Sequence, residues 1–293
     1  MQLAIHLGAH CTDEDRLLRS LLQNKSRLAA LGVAIPGPGR YRETIVKAAQ
    51  KLKGKKAESA AQNALIEDML DDDSTERLVL SFEDFICVSG RVFEQGMLYE
   101  KAGYKPMWFR NLFSEHQVEF FMSVRNPATF IPALATHPRQ THKSIPAMLQ
   151  GTDVNDIRWS DVAVAITESN PGCSLTIWAN EDTPYLWPEI MREVTGHDET
   201  ITLKGGLNIA GQIMHREGLR RMKAYMTSHP PQTEYHRRRV LTAFLDKYAI
   251  EDEVEQELDV PGWTSQVVDK ITATYDEDLA ELEHLAGVTF LSP

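Results

Sequence analysis

Apolar residues in this chain fall into two patterns. Leu3–Leu7, Leu78–Phe82, Val118–Val124 and Ser174–Ala179 are short apolar runs rich in β-branched and aromatic residues. Such runs read as strands buried on both faces, and Val288–Leu291 reads as a fifth. Between them the apolar positions recur at helical spacing, over Asp15–Leu31, Glu43–Lys53, Glu58–Leu70, Val92–Phe113 and Ile131–Leu149. Strands alternating with long helices predict an α/β fold, a three-layer sandwich around a central parallel sheet. From about Gly205 the pattern is nearly all helix, over Ala210–Thr227, Glu234–Ala249 and Ser265–Leu285, with Pro230-Pro231 and Pro261-Gly262 as breaks. The expectation is one domain over 1–293, with a helical region over 205–285 that lies above the crevice.

Composition narrows the partners. With 42% hydrophobic and 25% charged residues the chain is an ordinary globule, long enough to bury a large core. A net charge of −11 argues against general binding to nucleic acid or to a membrane surface, both polyanions. Cys11, Cys87 and Cys173 are odd in number and widely spaced, which suits a reducing compartment and gives no disulfide or zinc pattern. Met1-Gln2-Leu3 leads straight into the first strand, and no apolar run reaches the roughly 18 residues of a spanning helix. The expected location is the cytoplasm.

Ligands of parallel sheets sit beyond the carboxyl ends of the strands, which places Gly8–Asp15, Glu83–Asp84 and Arg125–Asn126 around one crevice. Strand, tight turn and helix over residues 2–19 form the layout in which backbone amides and a helix N-terminus hold an anion. Against the phosphate-loop pattern G-x-x-x-x-G-K-[ST], Gly8 fits, while Asp13, Glu14 and Asp15 stand at the glycine, lysine and hydroxyl positions. Three readings of these acids compete. Thr12 as N-cap with Asp15 at the third helical position nearly makes a capping box. The carboxylates would also suit Mg²⁺, or they turn outward and leave the loop amides usable.

The stretch IHLGAHCTDEDRLLRSLLQN resembles the N-terminus of sulfotransferases that use 3′-phosphoadenosine-5′-phosphosulfate (PAPS), in their bacterial, carbohydrate-type branch. LVLSFEDF resembles that family's strand ending in Ser-x-Glu, and FFMSVRNPATF its strand ending in an arginine. LTIWANEDTPYLWPEIMREVTG and YDEDLAELEHLAGVTF resemble its later strand and C-terminal helix. The resemblance implies a fold of the P-loop nucleoside-kinase type and transfer of a sulfonate from PAPS to a hydroxyl acceptor on a sugar, lipid or small molecule. It implies that Gly8, Ala9, Cys11 and Thr12 line the 5′-phosphosulfate, that Arg125 holds the 3′-phosphate and that Lys204, in Lys204-Gly205-Gly206, covers it. Glu83 or His10 would be the base, since an acceptor hydroxyl needs a proton acceptor within hydrogen-bond reach.

This loop departs from that pattern. Cys11 stands where the family has lysine, Thr12 is retained, Asp13, Glu14 and Asp15 replace Gly, Thr and Thr, and Ala133 replaces a serine. A carboxylate ~5 Å from a phosphate is repelled by roughly 3 kcal/mol at an effective dielectric of about 20. Weak binding of PAPS, or of its product nucleotide PAP, is therefore expected. The alternative function is an inactive ligand-binding or protein-interaction module on the same fold.

Other residues carry bland and sharp readings side by side. His10 as a loop histidine bonded to backbone, Cys11 as an inert thiol, Glu83 as a strand-end cap and Arg125 as a salt-bridge partner are the structural ones. Arg216, Arg220, Arg221, Lys223 and Arg237-Arg238-Arg239 read as partners of the acidic stretches Glu251–Asp259 and Asp276–Glu283, or as a site for an anionic sugar or protein. His137, His142 and His236 lack metal-ligand spacing, so no metal site is expected, and Trp178, Trp187 and Trp263 read as core.

Overall fold

The computed structural model describes residues 1–72, 74–254 and 260–293. Its strands are β1 (Gln2–His6), β2 (Val33–Ala34), β3 (Arg77–Ser81), β4 (Phe93–Glu94), β5 (Met97–Leu98), β6 (Gln117–Val124), β7 (Leu175–Ala179) and β8 (Val288–Leu291). Six of them form one sheet in the order β2-β3-β1-β6-β7-β8, parallel at every pairing. β4 and β5 make a separate antiparallel hairpin.

A parallel sheet must be covered on both faces, and alternate strand residues serve the two sides. Leu3, Ile5, Leu80, Phe120, Met122 and Ile177 pack one way, with Phe109, Ile131, Trp159 and Tyr275 from the helices Lys105–Leu112, Pro127–Ala135, Trp159–Ser169 and Ser265–His284. Ala4, Val79, Phe121 and Trp178 pack the other way, against Leu17 and Leu21 of helix Arg16–Leu22 and Leu186 and Ile190 of helix Thr183–Thr195. The result is an α/β protein whose sheet is flanked by helices on both sides. The chain leaves β1 toward one face and leaves its neighbours β3 and β6 toward the other. Such a reversal opens a crevice at the carboxyl ends of those three strands.

The helices Arg216–Ser228 and Glu234–Tyr248 pack on each other around Met214, Met222, Leu241 and Leu245. Arg237 donates to the Tyr185 carbonyl and Arg238 pairs with Glu189, so these contacts seat the pair on helix Thr183–Thr195. Arg221 pairs with Glu217, and Arg237 with Glu234. Among the described residues these basic side chains find glutamates within or beside their own helices, not the acidic stretches expected from sequence. Residues 255–259 of the first stretch lie outside the described residues.

Several expected boundaries move for local reasons. Asp15–Leu31 is two helices, Arg16–Leu22 and Lys25–Ala29, broken where Asn24 turns its amide back to the Ser20 carbonyl at 2.9 Å. Val92–Phe113 is not one helix. Gln95 (φ 55°) and Gly96 (φ 76°) form the two-residue turn between β4 and β5, and only Lys105–Leu112 is α-helical. Ile131–Leu149 is interrupted after Ala135, near Pro138, and resumes as Ile145–Leu149 behind the Ser144 cap. β2 and the helices Trp159–Ser169 and Thr183–Thr195 are additions to the sequence reading.

One cap crosses between helices. Helix Trp159–Ser169 has no side-chain cap of its own. Asp278 of helix Ser265–His284, 2% exposed, accepts from the Trp159 amide at 2.6 Å, the Ser160 amide at 3.3 Å and the Ser160 hydroxyl at 2.5 Å. Asp278→Ala is expected to lower the unfolding free energy by about 2 kcal/mol in urea titrations, the scale of a lost cap with buried donors left over. A loss under about 0.5 kcal/mol would remove the link.

Candidate functional site

The turn after β1 begins at Gly8, with φ +95°, where an added Cβ would lie 3.0 Å from the Glu83 Cα. Conformation and close approach both demand glycine there. The Gly8 carbonyl accepts from the Ser123 amide at 3.0 Å, Thr12 Oγ1 donates to the Ala9 carbonyl at 2.7 Å, and Arg125 donates to the Cys11 carbonyl at 2.6 Å. The ends of β1, β3 and β6 therefore meet around one loop, as the sequence pattern predicts.

The loop is strained and carries its own acceptors. Cys11, Glu14 and Asp15 have φ of 57°, 49° and 63°, left-handed values that cost about 1 kcal/mol or more each in a non-glycine residue. Asp13 Oδ1 accepts from the Asp15 amide at 3.0 Å and Oδ2 from the Leu17 amide at 3.0 Å. Its carboxylate thus sits on amides at the N-terminus of helix Arg16–Leu22. Asp15 is turned to Arg42, with contacts of 3.0 and 2.5 Å. Arg42 also donates to the Ser81 carbonyl at 3.1 and 2.9 Å and lies 4.6 Å from the Phe82 ring centroid. Glu14 is paired with Arg16 at 2.9 Å on the surface. The capping acid is therefore Asp13, and the expected box of Thr12 and Asp15 does not form, because the helix starts only at Arg16.

Cys11 is 8% exposed, and burial pushes its thiol up to about 12 although Arg125 opposes this. At neutral pH it is an uncharged thiol. Arg125 also donates to Thr129 Oγ1 at 3.0 Å. Lys204 is exposed; its backbone N–H donates to Asn24 at 2.8 Å and its carbonyl accepts from Asn24 at 2.9 Å. Asn24 lies past the far end of helix Arg16–Leu22, so Lys204 is anchored one helix length, roughly 10 Å, from the loop.

His10 is fully buried within a polar network. Its amide donates to Tyr99 Oη at 3.0 Å, and Tyr99 Oη lies 2.8 Å from Nδ1. Its Nε2 lies 3.1 Å from Asp84 Oδ1. The tautomer that satisfies every group takes the Tyr99 proton at Nδ1 and donates from Nε2 to Asp84. Arg139 bridges the two acids at the end of β3, reaching Glu83 at 2.5 Å and also Asp84. His137 Nε2 is 3.6 Å from Glu83 Oε1, and its ring stands edge-on to His10 with centroids 5.8 Å apart. Burial holds the His137 imidazole below its usual range although Glu83 opposes this.

Ligand atoms of His10, Glu83 and Asp84 lie within 4.8 Å of one another, a donor set that would suit a divalent cation. The Arg139 guanidinium supplies positive charge to both carboxylates at that position. Both His10 ring nitrogens are engaged, and Glu83 is tied to Arg139, so proton transfer by either requires a partner to leave.

The structure joins Gly8, Ala9, His10, Cys11, Thr12, Glu83, Asp84 and Arg125 at the carboxyl ends of β1, β3 and β6 and leaves Lys204 apart. It adds Tyr99, His137, Arg139 and Arg42. The sequence carried one cue for the basic pair: His137-Pro138-Arg139 breaks a helical pattern with polar residues. Tyr99 had none, because it follows a hairpin read as helix. No protein-family model, curated protein or solved structure matches this chain.

Asp84 gives the site a pH dependence. Burial pushes its carboxyl up, but hydrogen bonds from His10 and Arg139 outweigh this and hold it below the usual range. With the folded pKa under the unfolded value of about 3.9, its stabilisation is complete above that value and is lost as pH falls through the folded pKa. Between about pH 5 and pH 2.5 the urea midpoint of Asp84→Asn should fall less than that of the wild type. Equal losses would remove Asp84 from the acid-sensitive set.

Proposed function

We propose that this chain is a non-catalytic ligand-binding protein on a sulfotransferase-like fold of the P-loop nucleoside-kinase type, one that does not hold PAPS productively. The observation that carries this reading is Asp13, whose carboxylate occupies amides of Asp15 and Leu17 at the start of the first helix. A phosphosulfate brought to those amides must displace a covalently tethered anion or stay beside it. At ~5 Å the repulsion is roughly 3 kcal/mol, a loss of more than a hundredfold in affinity. Cys11 deepens the defect, because a neutral thiol stands where the family's lysine would compensate the sulfonate.

Transfer of a sulfonate to a hydroxyl acceptor remains the second reading, favoured by one arrangement. Arg125 grips the Cys11 carbonyl and Glu83 packs against Gly8 of the same loop, where a 3′-phosphate contact and a base would be needed.

The product nucleotide separates the two readings. At about 1 mM 3′,5′-ADP, well above the dissociation constant of a working donor site, the wild-type protein should show no rise in melting temperature. Asp13→Gly combined with Cys11→Lys should gain a measurable rise. A saturable rise in the wild type that Arg125→Ala abolishes would establish donor binding and overturn the non-catalytic reading.

A further inference from the structure

A cavity opens beside the end of β3. About 530 Å³ in volume, it lies between helix Arg42–Leu52 and helix Lys105–Leu112, with residues 84–88 as its third wall. That size is typical of small-molecule sites. Phe82, Phe85 and Phe109 supply its apolar lining, and Val88, 51% exposed, stands on its wall.

Its charges are unbalanced in a protein whose net charge is −11. Arg91, Lys101 and Lys105 line one side, and the first two share a single carboxylate, Glu94. Lys105 has no carboxylate partner among the described residues. Its ammonium lies 3.9 Å from the Trp108 ring centroid, and burial with the nearby Lys101 and Arg91 charges pushes its pKa down. Across the cavity, Arg42 is committed to Asp15 and Lys47 to Glu43. Asp84 is held by His10 and Arg139. The lysine wall is left with uncompensated positive charge next to an aromatic floor.

We infer that this cavity binds a small aryl or alkyl ester of phosphate or sulfate, with Lys105, Lys101 and Arg91 holding the anion and the phenylalanines its apolar body. An anion there relieves the repulsion among three cations and gives Lys105 an anionic partner. This site goes beyond the loop reading and does not depend on it.

Phenyl phosphate, phenyl sulfate and uncharged phenol are the probes, read by calorimetry and thermal shift on the full chain. At least one ester should bind saturably and raise the melting temperature, with affinity falling as salt is added, while phenol should not. Which ester binds identifies the anion. Lys105→Met removes the ammonium, keeps an unbranched apolar chain and should weaken binding roughly tenfold. The exposed Lys55→Met should change nothing. Failure of both esters to bind the folded protein, equal binding of phenol, or unchanged affinity in Lys105→Met would overturn the inference. None of those outcomes bears on 3′,5′-ADP.

Discussion

The loop after β1 depends on a carboxylate that it carries itself. Three of its non-glycine residues sit in left-handed conformations, each costing about 1–3 kcal/mol. Asp13 offsets that cost by satisfying two amides at the start of the helix, Asp15 by its pair with Arg42, and Arg125 by gripping the Cys11 carbonyl. The acids that invert the loop's charge are therefore its scaffolding. An incoming anion would compete with contacts that hold the loop in shape.

The same economy of charge runs through the neighbouring network. Glu83 and Asp84 leave the end of β3 side by side, and their repulsion is answered by Arg139 from a loop more than fifty residues later in sequence. His10 is fixed from both sides by Tyr99 and Asp84. A group so fully bonded is suited to holding the crevice in one arrangement. The charge left unanswered lies one wall further on, at Lys105.

The architecture was largely legible in the chain. Unbroken apolar runs at Leu3–Leu7, Leu78–Phe82, Val118–Val124 and Ser174–Ala179 mark parallel strands because such strands are buried on both faces. What misled was helical periodicity that spanned real breaks, as at Gln95-Gly96, where the turn residues are less telling than Asn-Gly. At the site, pattern could place Gly8–Asp15, Glu83 and Arg125 together, since strand ends in such a sheet converge. It could not foresee that Asp13 would fold back on its own amides, nor that His137 and Arg139 would arrive from a distant loop. Those depend on side-chain directions and long-range packing, and local spacing encodes neither.

The cap that Asp278 provides has a consequence for how the chain is made. The amides it satisfies belong to Trp159 and Ser160, 119 and 118 positions earlier. During synthesis, helix Trp159–Ser169 leaves the ribosome long before its acceptor exists, and β7 likewise waits for β8 at its outer edge. A chain emerging from its N-terminus holds exposed donors and an unpaired strand edge until Asp278 and Val288–Leu291 are added, the interval in which chaperone capture and misassembly compete with folding.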